Sequence, residues 1–168
     1  MPWLFKTEPE SFALDDLEHA PRKTTCWDGV RSFEARNLLR DKIAVGDHGF
    51  LYHSNAAPSV IVAIVEVVRA GYPDPTAWEK GHDHFDPKSD PKAPTWFMVD
   101  LRLVRRLERP VALDEAKSDP VLKEMALVKK SRLSVQPVTE SEWQRVLALA
   151  RLPAPKAVKS PKSSSSSK

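Results

Sequence analysis

The sequence has little of three features that mark common classes of protein. It contains one cysteine, Cys26, so no internal disulfide can form, and we expect a reducing, cytoplasmic setting. No apolar run approaches the roughly 18 residues of a membrane span, and the N-terminus lacks the basic-then-apolar layout of a signal peptide. The five glycines form neither a G-x-G-x-x-G nor a Walker pattern, which argues against a loop that cradles nucleotide phosphates.

The excess of positive charge belongs to one end of the chain. Of the 26 basic side chains, five lie in residues 151–168, a segment that contains no acidic residue. Residues 1–150 therefore carry 21 basic and 23 acidic side chains, a net charge of −2. A body with this charge is not expected to bind nucleic acid by electrostatic attraction alone.

The C-terminal segment "RLPAPKAVKSPKSSSSSK" differs in composition from the rest of the chain. It consists mainly of Pro, Lys and Ser and has almost nothing to bury. We expect one folded domain over residues 1–151 and a disordered tail over residues 152–168. We interpret the tail as a solvated, solubilising end, and a weak electrostatic tether to nucleic acid is the alternative.

Three helices are predicted from their caps and from the spacing of their apolar residues. The first covers residues 11–20, with Ser11 as its cap. The second covers residues 32–41, with Ser32 as its cap. The third covers residues 139–150 and begins with a Thr-x-x-Glu capping box.

Strands are more numerous than helices in the predicted order of elements. They are expected at residues 2–8, 48–54, 59–72 and 95–111. Residues 60–65 are apolar on both faces, which places their strand in the middle of the sheet. The helices are short and follow no regular βαβ rhythm. This order favours an α+β domain with a curled, mostly antiparallel sheet over a doubly wound fold.

The loop "WEKGHDHFDPKSDPKAP" raises the question of metal-dependent chemistry. Its H-x-H-x-D order offers His82, His84 and Asp86 as ligands of a hydrolytic metal ion. Further ligands would have to come from other elements, so a solvated, proline-rich loop is the favoured interpretation. Nucleophilic catalysis is also disfavoured, because the neighbours His53 and Ser54 would point to opposite faces of a strand. We therefore expect neither a catalytic constellation nor a cofactor.

Aromatic residues stand next to polar residues at the ends of several predicted elements. Trp27 precedes Asp-Gly, Tyr52 precedes His-Ser-Asn, Tyr72 precedes Pro-Asp, and Trp96 follows Pro-Thr. Flat rings beside hydrogen-bonding groups suit a pocket for a planar heterocycle, since each stacked base contributes about 1–3 kcal/mol. Each of these aromatic residues alone would be assigned to the hydrophobic core. Four aromatic residues with polar neighbours, taken together, favour a pocket.

Several long segments carry a resemblance to a known family. They are "WLFKTEP", "TTCWDGVRSFEARNLLR", "LYHSNAAPSVIVAIVEVV", "AGYPDPTAW", "FDPKSDPKAPTWFMVDLRLV" and "RLSVQPVTESEW", in this order over roughly residues 2–150. The sequence closely resembles the EVE domain, a member of the PUA-like group related to the YTH and ASCH folds. The resemblance implies a curled β pseudo-barrel, mostly antiparallel and flanked by short α-helices, with a pocket for a modified nucleobase.

The resemblance also implies which residues form the pocket. Trp27 and Trp96 would be its walls. Lys6 and Glu8 would lie at the rim of the pocket, and Val30, Arg31 and Asn37 would flank it. His53, Ser54 and Asn55 would contact the edge of the base, and Ser134 and Gln136 would close the site. Tyr72 and Asp74 would be further members of the pocket. Phe33 in "RSFEARN" stands where many members have Tyr, which removes a hydroxyl group at that point.

Two arginines of the second predicted helix are candidates for contact with a phosphate backbone. Arg36 and Arg40 lie one helical turn apart, so both can face the same partner. A solvated helix face is the alternative and the favoured interpretation of these two residues.

The predicted function is that of a non-catalytic reader of a modified base. The resemblance favours 5-methylcytosine or 5-hydroxymethylcytosine in DNA, and RNA stays open because YTH relatives read a methylated adenine in RNA. Two alternatives remain: a binder of a planar small molecule or metabolite, and a metal-dependent hydrolase. No membrane partner is expected. No internal repeat or long amphipathic seam argues for assembly, so we expect a monomer.

Overall fold

The computed structural model describes residues 2–151 of the chain. The predicted tail, residues 152–168, lies outside the described residues. Within residues 2–151, six strands form one sheet: β1 Trp3–Thr7, β2 Thr24–Cys26, β3 His48–His53, β4 Val60–Pro73, β5 Phe97–Ala112 and β6 Val135–Pro137. In the same described part of the chain, five α-helices accompany the sheet: α1 Leu14–His19, α2 Phe33–Asp41, α3 Leu113–Ser118, α4 Ala126–Lys129 and α5 Glu140–Ala150. The α+β prediction is confirmed.

The strands follow the order β2-β5-β4-β3-β1-β6 across the sheet. Neighbouring strands are antiparallel except β1 and β3, which are parallel. β4 lies between β3 and β5, as its apolar run predicts. The register between β4 and β5 shifts at four places. Such shifts bend and twist a strand pair, and they curl this sheet.

The sheet separates two hydrophobic clusters. Successive residues of a strand point to opposite faces, so Trp3 and Phe5 enter the first cluster and Leu4 enters the second. Helix α2 covers the first cluster with Leu39, and helix α5 covers the second with Val146. Helices therefore pack on both faces of the sheet, and this packing fixes the positions of the strand ends.

Two of the three predicted helix starts are confirmed. The Ser32 hydroxyl accepts the backbone N–H of Ala35 at 3.3 Å at the start of α2. At the start of α5, Thr139 Oγ1 accepts the N–H of Glu142, and the Glu142 carboxylate accepts the N–H of Thr139. These bonds satisfy donors that a helix end otherwise leaves free.

The prediction that Ser11 caps the first helix is wrong. Ser11 belongs to a turn in which its backbone N–H donates to the carbonyl of Glu8. The helix begins at Leu14, and the Asp16 carboxylate accepts the N–H of Ala13 at 2.7 Å. None of the helices within residues 2–151 has the length and apolar character to cross a membrane.

Candidate functional site

A cavity of about 640 Å³ lies where the two edges of the curled sheet approach each other. Its walls come from both sides of the sheet: Lys6 and Thr7 on β1, Ser134 directly before the edge strand β6, and Thr25 and Cys26 on the edge strand β2. The segments of residues 11–12, 27–32 and 82–84 complete the lining. The volume lies in the range of small-molecule sites in proteins.

Trp27 forms part of the cavity wall while resting on the core. Its backbone N–H donates to the carbonyl of Val99 at 2.7 Å, which extends the β2–β5 pairing by one residue. Its ring packs edge-to-face against Phe5 and Phe12, with centroid distances of 6.1 and 6.0 Å. The side chain is 8% exposed and still lines the cavity. The two aromatic contacts therefore fix the orientation of the ring at the wall.

The turn that follows Trp27 is anchored by one buried carboxylate. Asp74 accepts the backbone N–H of Gly29 at 2.8 Å, the Arg31 guanidinium at 3.1 Å, and both the N–H and the hydroxyl of Thr76. Burial raises the pKa of Asp74, but hydrogen bonds from Thr76, Gly29 and Arg31 outweigh burial and hold this pKa below its usual value. Asp74 is not among the residues that line the cavity; it supports the turn from behind, and its predicted role in binding stays a prediction.

Residues 82–84 close one side of the cavity. The His84 carbonyl accepts two hydrogen bonds from the Arg31 guanidinium, at 3.2 and 2.8 Å. The His84 Nδ1 lies 3.2 Å from the Thr76 hydroxyl, which ties this loop to the Asp74 anchor. The segment predicted as a solvated, proline-rich loop is therefore held against the cavity at residues 82–84. Within residues 2–151, no group of three or more His, Cys, Asp or Glu side chains is arranged to hold a metal ion.

Two charged side chains of the cavity differ in their partners. The Lys6 Nζ donates to the Ser131 carbonyl at 2.6 Å, and burial lowers the pKa of Lys6. The Asp28 carboxylate hydrogen-bonds to no other residue within residues 2–151, and burial raises the pKa of Asp28. Asp28 therefore leaves carboxylate oxygens available to a ligand in the cavity.

The structure brings five of the predicted pocket residues to the cavity. These are Lys6, Trp27, Val30, Arg31 and Ser134. Sequence reasoning did not assign Asp28 or residues 82–84 to the pocket. Asp28 follows Trp27 directly, which is a signal that could have found it. The loop had no such local signal, because its contact with the turn joins residues 53 positions apart.

Trp96, predicted as a wall of the pocket, lies in a supporting position, and its role in binding stays a prediction. It is not among the residues that line the cavity, since the Arg31 guanidinium lies between, 5.3 Å from the Trp96 ring. The Trp96 Nε1 donates to the Asp86 carboxylate at 2.7 Å. On its other side, the ring stacks on Phe33 with a centroid distance of 5.1 Å.

The predicted edge-contact residues lie outside the cavity lining and are engaged with their own neighbours. The His53 Nε2 accepts the backbone N–H of Leu14 at 3.1 Å, so the imidazole caps α1, and burial lowers the pKa of His53. The Ser54 hydroxyl donates to the Thr7 carbonyl at 3.3 Å. Asn55 donates to the Glu8 carboxylate at 2.6 Å. These bonds form a network that fixes the turn beside β1, and the predicted contacts of His53, Ser54 and Asn55 with a base stay predictions.

Three further predicted residues are also outside the cavity lining. Tyr72 donates to the Asp100 carboxylate, and burial, followed by this bond, raises the pKa of Tyr72. Gln136 is fully buried, and its Nε2 donates to the carbonyls of Lys130 and Leu133 at 3.1 and 2.8 Å. Asn37 is exposed on α2. These placements follow from packing against elements that the local sequence pattern does not reveal.

The two arginines proposed for phosphate contact have partners within the protein. The Arg36 guanidinium donates to Asn37 at 2.8 Å and to the Thr95 carbonyl at 2.7 Å. The Arg40 guanidinium donates twice to the Asp41 carboxylate, at 2.8 and 2.7 Å. A role for these two residues in binding phosphate stays a prediction.

Comparison with known proteins gives a consistent result at the levels of family, sequence and fold. The family model described as EVE domain matches residues 2–149. Thymocyte nuclear protein 1 from Homo sapiens is 42% identical over 164 residues, covering 88% of this chain and 72% of that protein. An uncharacterized protein from Schizosaccharomyces pombe is 36% identical over 169 residues, covering 93% of this chain and 71% of that protein.

Solved structures agree with the sequence comparison. The crystal structure of human THYN1 protein in complex with 5-methylcytosine-containing DNA has a TM-score of 0.86 at 40% identity, covering 90% of this chain and 98% of that chain. An ASCH protein from Zymomonas mobilis has a TM-score of 0.53 at 13% identity, covering 88% and 97%, which is a likeness of fold alone. On the family match and these identities, the chain belongs to the EVE domain family.

Proposed function

We propose that this protein is a non-catalytic DNA-binding domain that reads 5-methylcytosine in its cavity. The observation that carries the proposal is the position of Trp27, whose ring is oriented by Phe5 and Phe12 and lines the cavity. The complex of human THYN1 with 5-methylcytosine-containing DNA, a structure with 40% identity to this chain, supports the same ligand. The base 5-hydroxymethylcytosine is the second candidate.

The polar groups of the cavity fit the edge of a cytosine ring. The exocyclic amino group of cytosine is a hydrogen-bond donor, and Asp and Glu carboxylates are its usual acceptors in proteins. Asp28 offers such a carboxylate next to Trp27. In the proposed complex, Trp27 stacks on the face of the base while Asp28 accepts from its amino group.

The methyl group of the base needs an apolar surface to be distinguished from hydrogen. Phe12 and Val30 line the cavity and supply such a surface, and Val30 is buried. One methyl-sized group in an apolar pocket contributes about 1–3 kcal/mol, which is the size of preference we expect for the methylated base.

The base has to leave its stack in the duplex before it can enter the cavity. Extrusion costs a few kcal/mol, which stacking on Trp27 and the hydrogen bonds at the base edge must offset. The folded part carries nearly balanced charge, so its affinity for unmodified DNA should be modest. Specificity then comes from the cavity rather than from attraction to the backbone.

A fluorescence titration against matched oligonucleotides tests this proposal. The strands carry cytosine, 5-methylcytosine, 5-hydroxymethylcytosine or N6-methyladenine at one position, as DNA and as RNA. We expect tightest binding to a modified cytosine in DNA. Equal affinity for all strands would contradict the proposal. Displacement of the strand by free 5-methylcytidine at similar concentration would favour the planar small-molecule alternative, which uses the same cavity.

A further inference from the structure

Phe33 is an exposed aromatic side chain beside the cavity. It is 61% exposed, and the other large apolar side chains exposed within residues 2–151 are all valines. Phe33 is the first residue of α2 and contributes to neither hydrophobic cluster. Exposed aromatic surface contributes nothing to the free energy of folding, so burial does not explain a ring at this position.

The ring is nevertheless held in one place. It stacks on Trp96 with a centroid distance of 5.1 Å and an interplanar angle of 27°. The Arg36 guanidinium lies 5.1 Å from the Phe33 ring and is itself fixed by its bond to the Thr95 carbonyl. A ring ordered before binding loses little conformational entropy when a partner stacks on it.

The backbone at Phe33 joins the cavity to a second groove, while the Phe33 side chain lines neither. The preceding residue, Ser32, lines both the cavity and a groove of about 440 Å³. The following residue, Glu34, lines the groove together with residues 129–133. From the cavity outward, the Arg31 guanidinium, the Trp96 ring and the Phe33 ring follow one another at 5.3 and 5.1 Å.

The second groove carries positive charge. Lys129, Lys130 and Arg132 are exposed along it; Lys129 is paired with Glu124 at 3.5 Å, and Arg132 makes no ion pair within residues 2–151. The carboxylate of Glu34, which lines the groove as well, is paired with Lys130 at 2.7 Å. The groove adjoins the cavity, because the Ser131 carbonyl accepts the Lys6 ammonium. A cationic groove next to a flat ring is the arrangement that binds a single nucleic-acid strand.

We infer that Phe33 stacks on the nucleobase next to the one held in the cavity, with the phosphates of the same strand along the groove of residues 129–133. The inference rests on the proposed function, since a neighbouring base is defined only when another base occupies the cavity. Stacking on a neighbour holds the strand open after extrusion and does not depend on the identity of that neighbour.

The test compares wild type with Phe33→Ala, Phe33→Leu and Phe33→Tyr on DNA carrying one 5-methylcytosine. Two further strands carry an abasic site on the 5′ or the 3′ side of that cytosine. We expect Phe33→Ala and Phe33→Leu to bind roughly tenfold more weakly and Phe33→Tyr to bind like wild type, because a flat ring is required. On one of the two abasic strands, wild type and Phe33→Ala should bind equally. Circular dichroism checks that each variant is folded.

The outcomes separate this inference from the proposed function. Phe33→Ala should retain the ratio of affinities for methylated and unmethylated strands, since Phe33 does not contact the base in the cavity. Wild-type affinity in Phe33→Ala would overturn the inference, and so would an undiminished difference between the two proteins on both abasic strands. In the second case the ring contributes to DNA binding without contacting a neighbouring base, for example by its stacking on Trp96. If wild type bound methylated and unmethylated DNA equally well, that result would instead contradict the proposed function.

Discussion

Gly29 lies directly against the imidazole ring of His84. A β-carbon at Gly29 would come within 2.5 Å of both Cε1 and Nε2 of that ring, and Gly29 has a φ of +80°. The turn after Trp27 and the loop of residues 82–84 therefore touch without space for any side chain. This contact, together with the buried carboxylate of Asp74, sets the shape of the cavity on the side opposite β1.

Gly29→Ala should weaken DNA binding and stability together. The left-handed backbone costs about 1–2 kcal/mol for a residue with a β-carbon, and displacement of the His84 ring adds to that cost. Gly46→Ala is the matched control, since Gly46 has a φ of +94° with no atom within 4 Å of the added carbon. Chemical denaturation and binding to methylated DNA measure both variants. Equal losses in the two variants would show that the His84 contact is unimportant.

Asp74→Asn should destabilise the protein at neutral pH by about 2 kcal/mol, because the Arg31 guanidinium loses its buried charged partner. The pKa of Asp74 in the folded protein lies below 3.8, its usual value. A carboxyl with a lowered folded-state pKa stabilises above its unfolded-state pKa, and this stability is lost as the pH falls through the folded-state pKa. Wild type should therefore lose its advantage over Asp74→Asn in denaturation curves below about pH 4. A constant difference down to pH 2 would contradict this assignment.

Binding of methylated DNA should weaken with acid through Asp28. Burial raises the pKa of Asp28 above 3.8, so its carboxylate is protonated at a higher pH than an exposed one. A protonated carboxyl loses one acceptor for the amino group of cytosine, so affinity should fall as the pH decreases through this raised pKa. Asp28→Asn should bind more weakly at neutral pH and show a flatter profile. A profile of Asp28→Asn as steep as that of wild type would contradict this role of Asp28.

Truncation after residue 151 should leave thermal unfolding and the preference for methylated DNA unchanged. Both hydrophobic clusters and the cavity lie within the remaining residues. The removed segment carries four lysines and no acidic residue. If these lysines tether the protein to DNA, the slope of log affinity against log salt becomes shallower on truncation. An unchanged slope would contradict the tether hypothesis and would favour the interpretation of this segment as a solvated end.

The long elements of the fold could be predicted because their patterns are long. The apolar run of β4 and the alternation of β5 each extend over many residues with one interpretation. The Ser cap of α2 and the Thr-x-x-Glu capping box of α5 mark the helix starts. Strands β2 and β6 have three residues each, which is too short for a period of two to be visible. Their strand conformation follows from pairing with β5 and β1, and pairing is a tertiary effect.

Five residues named from the family resemblance line the cavity: Trp27, Val30 and Arg31 in one motif, and Lys6 and Ser134 far apart in sequence. Position in a motif does not suffice, because Asp28 lies in the same motif as Trp27 and was not assigned to the pocket. Trp96 and Asp74 were placed at the cavity, but each lies one contact behind it. The local sequence pattern marks such residues as important, but it does not show whether a side chain lines the cavity or supports a residue that does.

The central claim is that the face of Trp27 reads the methylated base. The most direct measurement is the ratio of affinities for 5-methylcytosine and cytosine strands in wild type, Trp27→Ala and Trp143→Ala. Trp143 is the matched control, because its ring stacks on Phe50 in the second cluster and does not line the cavity. We predict that Trp143→Ala keeps the preference for the methylated strand and that Trp27→Ala loses it while remaining folded. A folded Trp27→Ala protein with the wild-type ratio would contradict the account.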